Sequence, residues 1–231
     1  MYIAGMGRRS HPAFIRIQTM KDSPDLAAFR EDIYRLLSAS FYPPTVEFLT
    51  ENCRASLAGL LEQSVPDAAR HARDAVKAIG TNLESLAVEH ARLFIGPFHL
   101  VAPPYGSIYL DEAKTVMGDS TARVAAFYHS CGLQLADDFH ELPDHFAVEL
   151  EFMSFLAFRQ REAETVGDRC EVEKYAGLQG EFLEKFLMPW LEPFTSAIID
   201  DGESPFYQAL ARCTAAFISA DYAALKRKSN A

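Results

Sequence analysis

Apolar residues return every three or four positions along most of this chain, and strict alternation is rare. That period marks helices that bury one face, because residues i, i+3, i+4 and i+7 fall on one side of a 3.6-residue turn. Leu26, Phe29, Ile33, Leu36 and Leu37 form such a stripe behind Ser23-Pro24, a capping serine followed by proline at the first helical position. Pro43-Pro44 stops that helix, Val46, Leu49, Leu57, Leu60 and Leu61 carry the next, and Pro66-Asp67 opens a third. Thr81-Asn82-Leu83-Glu84 has the capping-box pattern for a helix through Phe94, closed by Gly96-Pro97. Further helices are expected from an Asp119/Ser120 cap to Gly132, from about Pro143 to about Val166, from Asp168 to Leu187, after Pro189, and from Pro205 to about Leu225. Of these, the long helix at about Pro143 to Val166 should carry Pro143 at its first position and Asp144 at the positive end of its dipole. The fold class is therefore all-α, a single helical domain of roughly ten helices.

One stretch breaks the period. "GPFHLVAPPYGSIYLDE", Gly96 to Glu112, holds prolines and glycines among aromatics and reads as an ordered loop or hinge. It divides the chain into an N-terminal lobe at 20–96, a hinge loop at 97–117 and a C-terminal lobe at 118–225. Residues 1–19 read as a flexible leader, with Met20 as an alternative initiator, and 226–231 as a solvated tail.

Charge narrows the partners. The chain carries 22 basic and 32 acidic side chains, and setting aside Arg8, Arg9 and Arg16 of the leader leaves 19 basic. Phosphate recognition wants clustered Lys and Arg, so a basic peptide fits this surface better than nucleic acid. No apolar run approaches the roughly 20 residues of a membrane-spanning helix, and a soluble protein is expected. Arg8-Arg9 invites a twin-arginine export signal, but Asp22, Asp25, Arg30, Glu31 and Asp32 follow where an apolar segment would be required. Cys53, Cys131, Cys170 and Cys213 lie far apart with no CxxC pair and read as buried or half-buried thiols in the cytoplasm.

The densest group of chemically capable side chains is "ELPDHFAVELEF", Glu141 to Phe152. On a helix His145 and Glu149 share a face, as a metal site, an acid/base pair or a docking surface each would require. The HExxH pattern is absent, as are repeated ExxH pairs, so no metal is expected. GxSxG, GxGxxG and GxxxxGK[ST] are absent as well, and neither a nucleophile nor a bound cofactor is indicated. Ser107 reads as a loop hydrogen-bonding residue, and Trp190 as core. Phe98, Tyr105 and Tyr109, set among Pro97, Pro103 and Pro104, either line an apolar groove for a peptide or pack the hinge against the lobes. Packing is the simpler reading on physics alone.

Several segments together resemble the cytoplasmic chaperones of the TorD, DmsD and NarJ type, which mature redox enzymes, with DmsD-like members the best match. They are "ARLFIGP" (91–97), "APPYGSIYLDE" (102–112), "GDST" (118–121), "PDHFAVELEFM" (143–153), "FLMPWLEPF" (186–194) and "SPFYQAL" (204–210), in the family's order. DmsD-like members tend to carry tryptophan where this chain has Phe98, Tyr105 and Tyr109. The resemblance implies a non-catalytic, all-helical chaperone. Its partner would be the twin-arginine signal peptide, with the folded body, of a molybdopterin-containing oxidoreductase catalytic subunit of the dimethyl sulfoxide or trimethylamine oxide reductase type. The chaperone would hold that subunit for cofactor insertion before export, and the export machinery is a further candidate partner. Carried over by position, the peptide-binding surface comprises Phe98, Pro104, Tyr105, Gly106, Ser107, Tyr109, Asp144 and His145, with Leu93 and Phe94 beside them. A twin-arginine peptide pairs two guanidiniums with an apolar run, so carboxylates beside aromatics suit it, and Glu141, Asp144 and Glu149 are the expected carboxylates. Two other readings remain: a metal- or nucleotide-dependent helical enzyme using Asp144, His145 and Glu149, which elemental analysis would expose, and a structural adaptor indifferent to those residues.

Overall fold

The computed structural model describes residues 3–4, 26–46, 53–79, 82–96 and 100–229. The expected cap at Ser23-Pro24, Leu49, Thr81, Pro97 and Phe98 lie outside them. The described part is built of helices: α1 Leu26–Phe41, α2 Cys53–Glu62, α3 Pro66–Ala78, α4 Leu83–His90, α5 Gly106–Leu110, α6 Asp119–Ser130, α7 Phe146–Val166, α8 Arg169–Phe182, α9 Met188–Asp201 and α10 Pro205–Ser229. A two-residue strand pair, β1 Ile3–Ala4 with β2 Gln134–Leu135, runs antiparallel. The helical period gave no sign of it.

Helices from both sides of the loop share one core. α1 packs along α7, and α3 along α10. The α1 stripe is buried at Ile33, Leu36 and Leu37, joined by Tyr34. Three polar ties fix its register on α7: Ser38 Oγ donates to Ala147 O (2.8 Å), Ser154 Oγ to Glu31 O (2.9 Å), and Arg161 Nη2 to Glu31 Oε2 (2.6 Å). α3 instead buries a face of alanines, Ala68, Ala69, Ala72 and Ala75, and small side chains let α10 approach its backbone. The boundaries 20–96, 97–117 and 118–225 are thus divisions of sequence, while in space the two halves interleave.

Several local expectations are corrected. Val46 is 59% exposed and contributes nothing to a buried stripe. The cap of α4 is Asn82, whose Oδ1 accepts from the N–H groups of Glu84 and Ser85 (3.0 and 3.4 Å). The helix that should reach Phe94 becomes a π turn at Ala91–Ile95, ending at Gly96 with φ 30°, a region open to glycine. The break expected at Pro189 is absent: α8 runs through a π turn at Leu183–Leu187 straight into α9. Pro189 then falls in the first turn of the new register, where its missing N–H is not needed. α10 continues past Leu225 to Ser229, with Lys226 Nζ on Glu184 Oε1 at 3.0 Å. Cys170 is exposed rather than half-buried.

The Asp119/Ser120 cap of α6 is also assembled differently. Gly118 is the N-cap residue, and the capping carboxylate arrives from the preceding loop: Asp111 accepts from Ser120 N (3.1 Å, Oδ2) and from Ser120 Oγ (2.5 Å, Oδ1). Gly118 is what makes room, since a Cβ there would stand 2.1 Å from Asp111 Oδ2. These bonds hold Asp111 below the usual carboxylate range.

Candidate functional site

The two segments singled out in the sequence meet. The chain around Pro104-Tyr105 lies beside the turn at Asp144-His145 as an isolated antiparallel bridge between Tyr105 and His145. Gly106 N donates to Asp144 O (2.9 Å), and Phe146 N to Pro104 O (2.8 Å). Side chains extend the seam: Ser107 N donates to Asp144 Oδ2 (2.8 Å), and Tyr105 OH to Glu141 Oε2 (2.9 Å).

This arrangement corrects the reading of the long helix. α7 begins at Phe146, and its N-cap is His145, whose Nδ1 accepts from Ala147 N at 3.2 Å. Pro143 lies ahead of the helix, and Asp144 caps the short α5 across the seam instead of the dipole of α7. Accepting the bond from Ala147 N fixes the His145 tautomer with the proton on Nε2. The ring is sandwiched, parallel to Tyr42 at 5.8 Å and edge to Tyr105 at 5.2 Å. Burial first, and the charge of His90 second, push its pKa down to about 3, so it is a neutral cap.

Behind the seam lies an aromatic floor. Phe146 packs on Phe194 (4.5 Å), Phe41 (4.8 Å) and Trp190 (5.2 Å), and Tyr109 stacks on Trp190 at 5.5 Å. Trp190 also sets the identity of residue 106, because a Cβ on Gly106 would come within 3.2 Å of the indole nitrogen. Leu93 and Phe94 belong to this floor. Both are buried, Phe94 edge to Tyr207 and His90, while Leu93 O accepts from Ala102 N (3.0 Å) and so anchors the loop.

Exposure divides the expected site residues. Tyr105, Tyr109 and Glu141 are half-buried, whereas Pro104, Gly106, Ser107, Asp144, His145 and Glu149 are buried. Asp144 is 0% and Glu149 1% exposed. Glu149 has its carboxyl well above the usual range, through burial first and then the charge of Asp144. The indole N–H of Trp190 offsets part of this from short of a full hydrogen bond, for neither Trp190 Nε1 nor Glu149 Oε2 has a partner. Among the described residues no three His, Cys, Asp or Glu side chains converge on one point, and no helix is long and apolar enough to cross a membrane. Sequence reasoning assigned Trp190 to the core and so missed its place in the seam. The available signal was chemical: a fully buried indole still needs somewhere to put its N–H.

The fold and seam define a class, a bundle of helices with a proline-aromatic loop zipped to the start of its central helix. The family model described as nitrate reductase delta subunit matches residues 55–196, and the chain belongs to that family. It is similar to the Tat proofreading chaperone DmsD of Salmonella typhimurium, 37% identical over 127 residues that cover 55% of each chain. It is also similar to the chaperone protein TorD of Vibrio vulnificus, 28% identical over 212 residues, 85% of this chain and 96% of the relative. The chain thus spans about half the length of the DmsD relatives it matches. Both names are those of chaperones rather than enzymes.

Proposed function

We propose that this protein is a cytoplasmic chaperone that binds the twin-arginine signal peptide of a molybdopterin-containing oxidoreductase catalytic subunit and holds that subunit for cofactor insertion before export. The client would be of the dimethyl sulfoxide or trimethylamine oxide reductase type, and the helical body at 20–225 would be the chaperone domain. The observation that carries the reading is the seam. A loop of prolines and aromatics and a turn bearing carboxylates, about 40 residues apart in sequence, are bonded backbone to backbone over an aromatic floor. Apolar burial at about 25 cal/mol per Å² would supply most of the affinity of the signal peptide, and the carboxylates its register on paired guanidiniums. Tyr105, Tyr109 and Glu141 form the half-exposed approach, with Phe98 as the further aromatic expected there. Names of relatives support the same reading, since DmsD is called a Tat proofreading chaperone.

Calorimetric titration of the full chain with twin-arginine signal peptides of such subunits tests this. Saturable binding of one peptide per chain is expected, weakened when both arginines are replaced by lysine, because a compact ammonium cannot reproduce the guanidinium fork. Heat-silent titrations with every peptide, confirmed by an optical binding assay, would overturn the proposal.

A further inference from the structure

Seven buried side-chain polar atoms among the described residues lack a hydrogen-bond partner, and five of them belong to the seam: Ser107 Oγ, Tyr109 OH, Asp144 Oδ1, Glu149 Oε2 and Trp190 Nε1. They are neighbours. Ser107 gives its N–H to the other oxygen of Asp144, Gly106 lies against the Trp190 indole, and Tyr109 stacks on that ring. An unpaired buried polar atom costs about 1–3 kcal/mol, and native proteins keep few of them. Two are acceptors on carboxyl groups. A carboxylate at 1% exposure, with no cation beside it and only the Trp190 indole short of a full hydrogen bond, is too costly to hold as an anion beside a second carboxylate. Burial beside Asp144 therefore favours the protonated form of Glu149.

Resting on the peptide-binding reading above, we propose that an arginine side chain of the bound peptide enters the seam, takes Asp144 Oδ1 and Glu149 Oε2 as its acceptors, and displaces the proton of Glu149 to solvent. The O–H bond of the acid is the bond that breaks, and the guanidinium stays protonated throughout. A guanidinium brings five donors and a fixed charge, which satisfies both open oxygens and removes the reason for Glu149 to be neutral. The half-buried Tyr105 and Glu141, joined by their hydrogen bond, are the outer wall that must part. The groups that act on Glu149 are Asp144 on the turn and Tyr128 on α6, with the indole of Trp190 facing it from α9. Among the described residues no lysine or arginine acts on Glu149, and the guanidinium of the ligand would supply the balancing charge.

Two measurements on the full chain test this. Infrared difference spectra of the unliganded protein and Glu149→Gln should show a protonated carboxyl band in the wild type that the variant lacks; a wild type without that band overturns the inference whatever the peptide does. Calorimetry in buffers of different ionisation enthalpy should then show about one proton released per twin-arginine peptide, with affinity rising up to about tenfold per pH unit while Glu149 is protonated in the free chain. Glu149→Gln should bind about tenfold more weakly, release no proton and show no such rise. Binding whose heat is independent of buffer, or proton release that persists in Glu149→Gln, overturns the inference and leaves peptide binding standing. A flat isotherm for the wild type defeats the peptide reading itself and this inference with it.

Discussion

Among the described residues the protein buries acidic side chains in two places and treats them in opposite ways. Between α1 and α10, Asp221 accepts from Arg30 Nε (2.6 Å, Oδ1), from Arg30 Nη2 (2.9 Å, Oδ2) and from Tyr34 OH (2.8 Å, Oδ2). Gln160 and Gln179 continue the network onto α7 and α8 through a 2.7 Å bond. At the seam, Asp144 and Glu149 are as deeply buried, yet each keeps an oxygen with no donor. A carboxylate with donors on both oxygens, as Asp221 has, fixes how helices sit and has no capacity left for anything else. An unsaturated one is poorly stabilised alone and gains most from a partner that brings donors.

The largest test of this contrast is Asp221→Ala, which strands a buried guanidinium and the Tyr34 hydroxyl. It should lower unfolding free energy by about 3–5 kcal/mol in urea titrations. Glu149→Gln should show no comparable loss. A similar cost at both sites would mean that the seam is saturated in solution.

Next in size are pH slopes of opposite sign from two residues one helical turn apart. Glu149 has a folded pKa above its ordinary 4.5, so the folded state holds its proton longer than the unfolded chain. Its contribution is complete below pH 4.5 and is lost as pH rises through the folded value, at up to about 1.4 kcal/mol per unit. His145 has its pKa lowered from 6.5 to about 3, so its contribution is complete above 6.5 and is lost as pH falls toward 3. Glu149→Gln should flatten the alkaline limb of stability, and His145→Asn, which keeps a capping side chain, the acid limb. Unfolding midpoints across pH 3–9 check both signs at once.

Smaller effects separate the seam from the loop beside it. Gly118→Ala pushes Asp111 off the start of α6 and should cost about 1–2 kcal/mol in thermal unfolding without altering peptide binding. Tyr105→Phe removes the hydrogen bond to Glu141 and should cost no more than about 1 kcal/mol of stability. If that bond holds the outer wall closed, the same variant should speed peptide association in stopped-flow measurements.

Much of this was legible in the chain. The α1 stripe, the opening of α3 at Pro66, the close at Gly96 and the start of α10 behind Ser204 follow from periodicity and local caps. The failures share one cause. Asp144 was expected at the positive end of its own helix's dipole and instead serves α5, and α6 takes its capping carboxylate from Asp111. In both, a short acidic side chain serves a helix start that is not its own, and sequence distance conceals such an exchange. The continuous run from α8 to α9 escaped notice because a π turn moves Pro189 to a tolerated position, a shift in register that leaves no compositional trace.

The sequence by itself determined the helical class, the place of the proline-aromatic stretch and the candidate residues, because each depends on neighbours within a few positions, but it read that stretch as loop throughout and missed the short helix α5 at Gly106–Leu110. The tertiary structure decided which of those residues touch. It placed Trp190 beneath Gly106, buried Asp144 and Glu149 together, and made His145 a neutral cap. Burial and pairing are properties of three-dimensional neighbours, and they set whether a carboxyl group is a surface charge or an acid waiting for a cation.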